Sequence, residues 1–309
     1  MWKSGVIALM AAAAFSPSFA QNDEFEKGMN TMWEVLWHQS GTPTRLVRWE
    51  QDMKVRIYGV NLGQHKQHTL QALVDAAAEA GVKVTDVSGR PDAAQVANVS
   101  IEIVPDTMLE DNQPCVTFLN FQTENRIDSA AMQMRNRDAW RCAYHESMHV
   151  MGVRGHPEGD TVLSYFAKTV DTLQPLDKAM LRAWYSPRAR GGMTPFEVLP
   201  ILADELVKIM PDKAQATRSR DAFLNRTVAE MRDFADGKAD VPAIVKQSGK
   251  SSAEAIRFGR MEMSYFLGIA YLEGATVPPD STQAVRWLQR AANLGSRTAQ
   301  ARLGAATAR

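Results

Sequence analysis

The stretch that most constrains this chain runs Cys142-Ala143-Tyr144-His145-Glu146-Ser147-Met148-His149-Val150-Met151-Gly152, with Gly155-His156-Pro157 just after it. On an α-helix, residues four apart share a face about 6 Å along the axis, so His145 and His149 can reach one tetrahedral metal ion. Glu146 then lies beside that ion, where a carboxylate can serve as general base toward an activated water. Asn136 or Asp138 is placed to cap the helix and Gly152 to stop it. Trp140, Tyr144, Met148 and Met151 form one apolar stripe, while the two histidines fall on a different face. One side of the helix can bury while the other looks into a cleft. The bland alternative is two surface histidines that happen to lie four apart. Three of the six histidines fall within residues 145–156, which favours the metal site.

Gly152-Val153-Arg154-Gly155-His156 turns the chain out of the helix and presents a third imidazole, with Glu158 and Asp160 as reserve oxygen ligands. The run His145-Glu146-x-x-His149-x-x-Gly152…His156 resembles the metzincin metallopeptidases. That family places its third histidine three residues after the glycine; here it comes four after, with Gly155 added. Residues 160–166 resemble the metzincin methionine turn, with Leu163 standing for the methionine, a swap that keeps volume and apolarity. Tyr165 matches a tyrosine that, in some such families, approaches the metal and stabilises an oxyanion; otherwise it is an ordinary interior aromatic. The resemblance implies Zn2+ held by His145, His149 and His156, Glu146 as general base, Tyr165 as a second catalytic group, and a peptide or protein substrate.

The first twenty residues read as a signal peptide: Lys3, an apolar stretch over 5–15, and a small-x-small cleavage site at Ser18-Phe19-Ala20. The apolar run is far short of the roughly 20 residues that span a bilayer. A periplasmic or secreted bacterial protein with no membrane insertion after cleavage is expected. Lysine plus arginine and aspartate plus glutamate number 35 each, and no basic run is interleaved with aromatics, so nucleic acid is excluded as a partner. The two cysteines, in an exported chain, predict one disulfide between Cys115 and Cys142. Closing a loop of roughly 27 residues contributes about 3 kcal/mol. The rival role for Cys142 is a metal ligand.

Residues 21–40 predict a short amphipathic helix packed on the main domain. Residues 45–58 read as a strand or bent hairpin, 66–79 as a helix stopped by Gly81, and 82–87, 97–104 and 115–121 as strands. A loop then leads to Asn136 and the histidine helix. The order β-α-β-β-β-α resembles the N-terminal half of zincin proteases, whose cleft-edge strand pairs with extended substrate; here that strand is 115–121. A helix over 176–184 with Leu176, Met180, Leu181 and Trp184 inward follows, then a turn at Gly191-Gly192 and a helix capped by Thr194. His38, His65 and His68 read as surface residues. Residues 140–200 also resemble an exported bacterial domain family of unknown function, many of whose members lack the ligand histidines.

Residues 211–250 read as a connecting helix and linker. Leu267-Gly268 recurs 36 residues later as Leu303-Gly304, and Trp287 stands between them. This resembles the Sel-type, tetratricopeptide-related repeat, which implies a protein partner or a cap on the preceding domain. The fold class expected is α+β: a zincin-like metallopeptidase domain over 21–195, a mixed sheet plus the histidine helix. A helical linker over 196–250 and all-α helical repeats over 251–309 complete it. The function expected is an exported zinc-dependent metallopeptidase. The alternative is a catalytically silent scaffold that binds proteins through its repeat.

Overall fold

The computed structural model describes residues 17–37, 45–123, 125–165, 167–242, 253–274 and 277–307. The expected signal peptide lies outside the described residues as far as residue 16, and helix α1 (Pro17–Trp37) begins within its last residues. No helix among the described residues is long and apolar enough to cross a membrane.

The body is a five-stranded mixed sheet: β1 (Met53–Gly59), β2 (Val84–Asp86), β3 (Val99–Val104), β4 (Cys115–Thr123) and β5 (Arg126–Arg135), in the order β2-β1-β3-β5-β4. All neighbours run parallel except β4, which lies antiparallel to β5 at the edge. Met53, Val55 and Ile57, Val99, Ile101 and Ile103, and Ala130, Met132 and Met134 are buried. The residues between them are half-buried or exposed, the period-2 pattern of a sheet with one covered face. Helix α2 (Leu62–Ala80) makes the crossover from β1 to β2 and is stopped by Gly81, as its periodicity predicts.

β5 corrects the loop expected before Asn136. Its inward residues are Ile127, Ala130, Met132 and Met134, and alanine and methionine carry little strand preference, so the alternation was masked. A short helix, α3 (Ala93–Val96), leads into β3. The strand expected over 45–58 is broken at its charged centre. Only Met53–Gly59 joins the sheet proper, while Arg48 makes an isolated bridge to Arg126.

The histidine helix α4 (Ala139–Val150) follows a 3-10 turn over Asn136–Asp138. Asp138 occupies the N-cap but makes no capping bond; its carboxylate takes the Arg135 guanidinium instead. Tyr144, Met148 and Met151 are buried as expected, but Trp140 is 50% exposed and stacks flat on His68, with ring centroids 3.6 Å apart. His65 corrects its expected surface position: it is buried and bonded to the Asn136 side chain at 3.1 Å. His38 lies outside the described residues.

Helices α5 (Pro175–Trp184), α6 (Pro195–Ile209) and α7 (Lys213–Asp236) complete the body. Thr194 starts α6 through Glu197, whose carboxylate accepts from the Thr194 backbone at 2.8 Å and hydroxyl at 3.0 Å. The stretch expected as a linker is a packed helix through Asp236: α7 lies against α1 and α6. Helix α1 is likewise part of the core, with Phe25, Met29, Met32, Trp33 and Leu36 fully buried. Helices α8 (Ala253–Glu273), α9 (Ser281–Asn293) and α10 (Arg297–Thr307) form the C-terminal region, where Gly268 faces Leu288 and Trp287 is buried.

Candidate metal centre

The three histidines converge. Nε2 of His149 lies 3.2 Å from Nε2 of both His145 and His156, and those two lie 3.1 Å apart. Nδ1 of His145 donates to the Val162 carbonyl at 2.9 Å, and Nδ1 of His149 to the Val153 carbonyl at 2.8 Å. With the ring protons spent at Nδ1, the Nε2 atoms of these two rings present lone pairs to each other. Lone pairs at this separation repel unless a cation sits among them. A tetrahedral ion with metal–nitrogen bonds of about 2.0–2.1 Å needs its nitrogens about 3.3–3.4 Å apart, so the donor set fits such an ion. Glu158 and Asp160 do not join this group, and Cys142 is bonded to Cys115.

The local fold explains the convergence. Gly152 has φ +88°, and a Cβ there would stand 2.4 Å from the Val47 carbonyl oxygen, so only glycine lets the chain turn so tightly out of α4. Gly155, the residue added before the third histidine, has φ +123° and runs its backbone against Val35 of α1. Helix α1 cradles this loop further: Thr31 Oγ1 donates to the Glu158 carbonyl at 2.9 Å, and the Glu34 carboxylate accepts from the Glu158 amide at 3.0 Å.

The last turn of α4 is held by residues far away in sequence. Trp49 Nε1 donates to the Val150 carbonyl at 2.7 Å, and the Tyr185 hydroxyl donates to the Met151 carbonyl at 2.9 Å. These satisfy carbonyls that a helix end leaves without partners. Buried Asp177 accepts from the Thr161 hydroxyl, from the Val162 amide at 3.1 Å and from the Gln174 amide at 2.8 Å. It thereby fixes the loop whose Val162 carbonyl orients His145. The bonds from Trp49 and Tyr185 to the end of α4, and from Thr161 and Val162 to Asp177, carry no local sequence signal.

Glu146 is 3% exposed, and its Oε2 accepts from Thr117 Oγ1 at 2.6 Å. Burial pushes its carboxyl up from the ordinary value, opposed by nearby His149 and the Thr117 bond. Burial also holds His145 well below the usual imidazole value, helped by His149 and His156, so the ring is neutral and able to ligate. Tyr165 is not interior: it is 65% exposed and stacks on His156 with ring centroids 4.5 Å apart and planes 12° apart. Leu163 is fully buried below.

These groups open into a cleft of about 890 Å³, bounded on one side by β4 with Thr117, Phe118 and Phe121. β4 is the edge of the sheet, as expected for the strand beside the site. Cys115 on β4 is bridged to Cys142 on α4, with Cα atoms 6.2 Å apart, the pairing the cysteine count predicts.

The molecule is thus a mixed α/β protein with a three-histidine centre at the open edge of its sheet, followed by a helical region. A family model described as "protein of unknown function (DUF2927)" matches residues 17–204, and the chain belongs to that family. A Sel1 repeat matches residues 262–296 and suggests protein–protein interaction. No curated protein and no solved structure matches the chain.

Proposed function

We propose that this protein is an exported zinc-dependent metallopeptidase with a zincin-like domain. The observation that carries the reading is the convergence of three imidazole nitrogens at 3.1–3.2 Å beside a buried carboxylate. His145, His149 and His156 would hold Zn2+, an ion that three nitrogen donors suit. Zinc bound there would supply Lewis acidity, bringing water into a reactive range near neutral pH.

Glu146 takes a proton from the attacking water and returns it to the leaving amine, a role served by its raised, burial-tuned carboxyl. Thr117 fixes which oxygen of Glu146 is free to do so. An extended peptide lies along β4, adding to the open sheet edge by backbone hydrogen bonds. Phe118 and Phe121 on that strand give it apolar contact. The Tyr165 hydroxyl donates to the oxyanion that forms as the scissile carbonyl is attacked. The Sel1 repeat supports a protein partner alongside the hydrolytic site.

Elemental analysis of the purified chain beside His149→Ala and His156→Ala tests the metal. About one zinc per chain, lost in both variants, is expected of a three-histidine site. Zinc retained in His156→Ala would remove that residue from the ligand set. Glu146→Gln should keep zinc and lose cleavage of a peptide library; cleavage retained in that variant would refute the mechanism. A zinc-loaded parent that leaves every peptide intact would favour a binding scaffold built around the repeat.

A further inference from the structure

Arg154 lies in the turn between α4 and His156 and lines the cleft with the three histidines. Its neighbours are committed elsewhere. Val153 is fully buried with its carbonyl on His149, and Gly155 runs against α1. Arg154 carries the long side chain of this turn that lines the cleft. It is half-buried, and no described residue forms an ion pair or hydrogen bond with it.

Several other arginines of the body are matched: Arg135 with Asp111 and Asp138, Arg182 with Glu79, Arg188 with Asp204. A partly desolvated cation without a partner is costly in the free protein, and an incoming anion relieves that cost. Exposed Arg141 and Lys168 line the same cleft and also lack partners among the described residues. The acidic residues of the cleft are taken: Asp111 by Arg135 and Arg137, Glu146 by Thr117.

We infer that Arg154 receives a carboxylate of the bound peptide, giving the site, on the peptidase reading above, a preference for peptides carrying a carboxylate near the scissile bond. The planar guanidinium fork matches a carboxylate with two parallel hydrogen bonds, which fixes the peptide's register as well as its charge. The carboxylate is either an acidic side chain or a free C terminus. Arg141 and Lys168 strengthen the attraction at longer range.

The test uses the full chain carrying Glu146→Gln, loaded with Zn2+, so that peptides bind without being cut. Calorimetry compares peptide pairs differing only in Glu against Gln at one position, or in a free against an amidated C terminus. The acid member of one pair should bind about tenfold or more tightly. Which pair shows the difference identifies the source of the carboxylate. Arg154→Gln should collapse the difference to about twofold or less, and Arg154→Lys should keep part of it.

Equal binding of both members in both pairs, or no binding, overturns the inference without recourse to any Arg154 variant. A preference that survives Arg154→Gln at unchanged zinc content overturns it as well. Cleavage by the chain with Glu146 intact is scored separately. A lack of cleavage sinks the peptidase reading, whereas cleavage with uniform binding sinks only the carboxylate inference.

Discussion

The Thr117 hydroxyl donates to Glu146 Oε2 at 2.6 Å across the gap between the edge strand and the histidine helix. Two elements that meet at the cleft are therefore joined at its buried carboxylate. The bond also favours the charged form of a carboxyl that burial alone would push higher.

Thr117→Val keeps the shape of the side chain and removes that donor. On the proposed mechanism Glu146 must be ionised to accept a proton, so raising its pKa moves the acid limb of the kcat/KM profile to higher pH. The expected loss at neutral pH is about tenfold, with zinc content unchanged. An acid limb that stays where it is in the parent would show that Thr117 is only a packing residue.

His145 gives a pH dependence to the stability of the metal-free protein. Burial depresses its folded pKa, so the unfolded chain binds more protons than the folded one below the ordinary value of about 6.5. The stability it contributes is present above that value and is lost as pH falls. The Tm should drop between about pH 7 and pH 5, and less in His145→Gln. Burial raises the carboxyls of Glu146 and Asp177, which act with the opposite sign, but both proteins share them. Equal drops in the two proteins would count against the assignment.

Gly152→Ala places a Cβ 2.4 Å from the Val47 carbonyl oxygen at a φ of +88°. Both strain and overlap must be relieved by moving the turn that delivers His156. The expected cost is about 2 kcal/mol or more in urea denaturation, with weaker zinc retention in the folded protein. Full stability together with full zinc content would show that the turn adapts freely.

Tyr165→Phe preserves the stack on His156, whose ring centroid lies 4.5 Å away, and removes only the hydroxyl. If that hydroxyl donates to the oxyanion, kcat falls about tenfold or more while KM and zinc content hold. Unchanged kcat would leave Tyr165 as a ring that braces His156.

The histidine helix, its glycine exit and the third histidine were legible because each depends on a fixed spacing within one or two turns of chain. Helices α2, α5 and α6 and strands β1, β3 and β4 were legible through periodicity and punctuation, and the disulfide through the cysteine count. The supports were not. Trp49 reaches Val150 across 101 residues, and Tyr185 reaches Met151 across 34, distances over which local pattern carries no information. β5 was hidden by residues that pack well in strands without preferring them. The stripe containing Trp140 showed which residues share a helix face, but not that its end lies beyond the cover of neighbouring elements.

The bridge between Cys115 and Cys142 reaches beyond the folded state. Thr117 and Glu146 lie 29 residues apart along the chain, but each is only a few residues from a cysteine of a bridge that joins positions separated by 27 residues. In the oxidised unfolded chain the shorter path between them runs through the sulfurs, so their encounter costs much less loop-closure entropy. Oxidation thus tethers the Glu146 carboxylate to its hydroxyl partner before the sheet exists. The whole of β5 hangs within that covalent ring, awaiting the strand beside which it pairs.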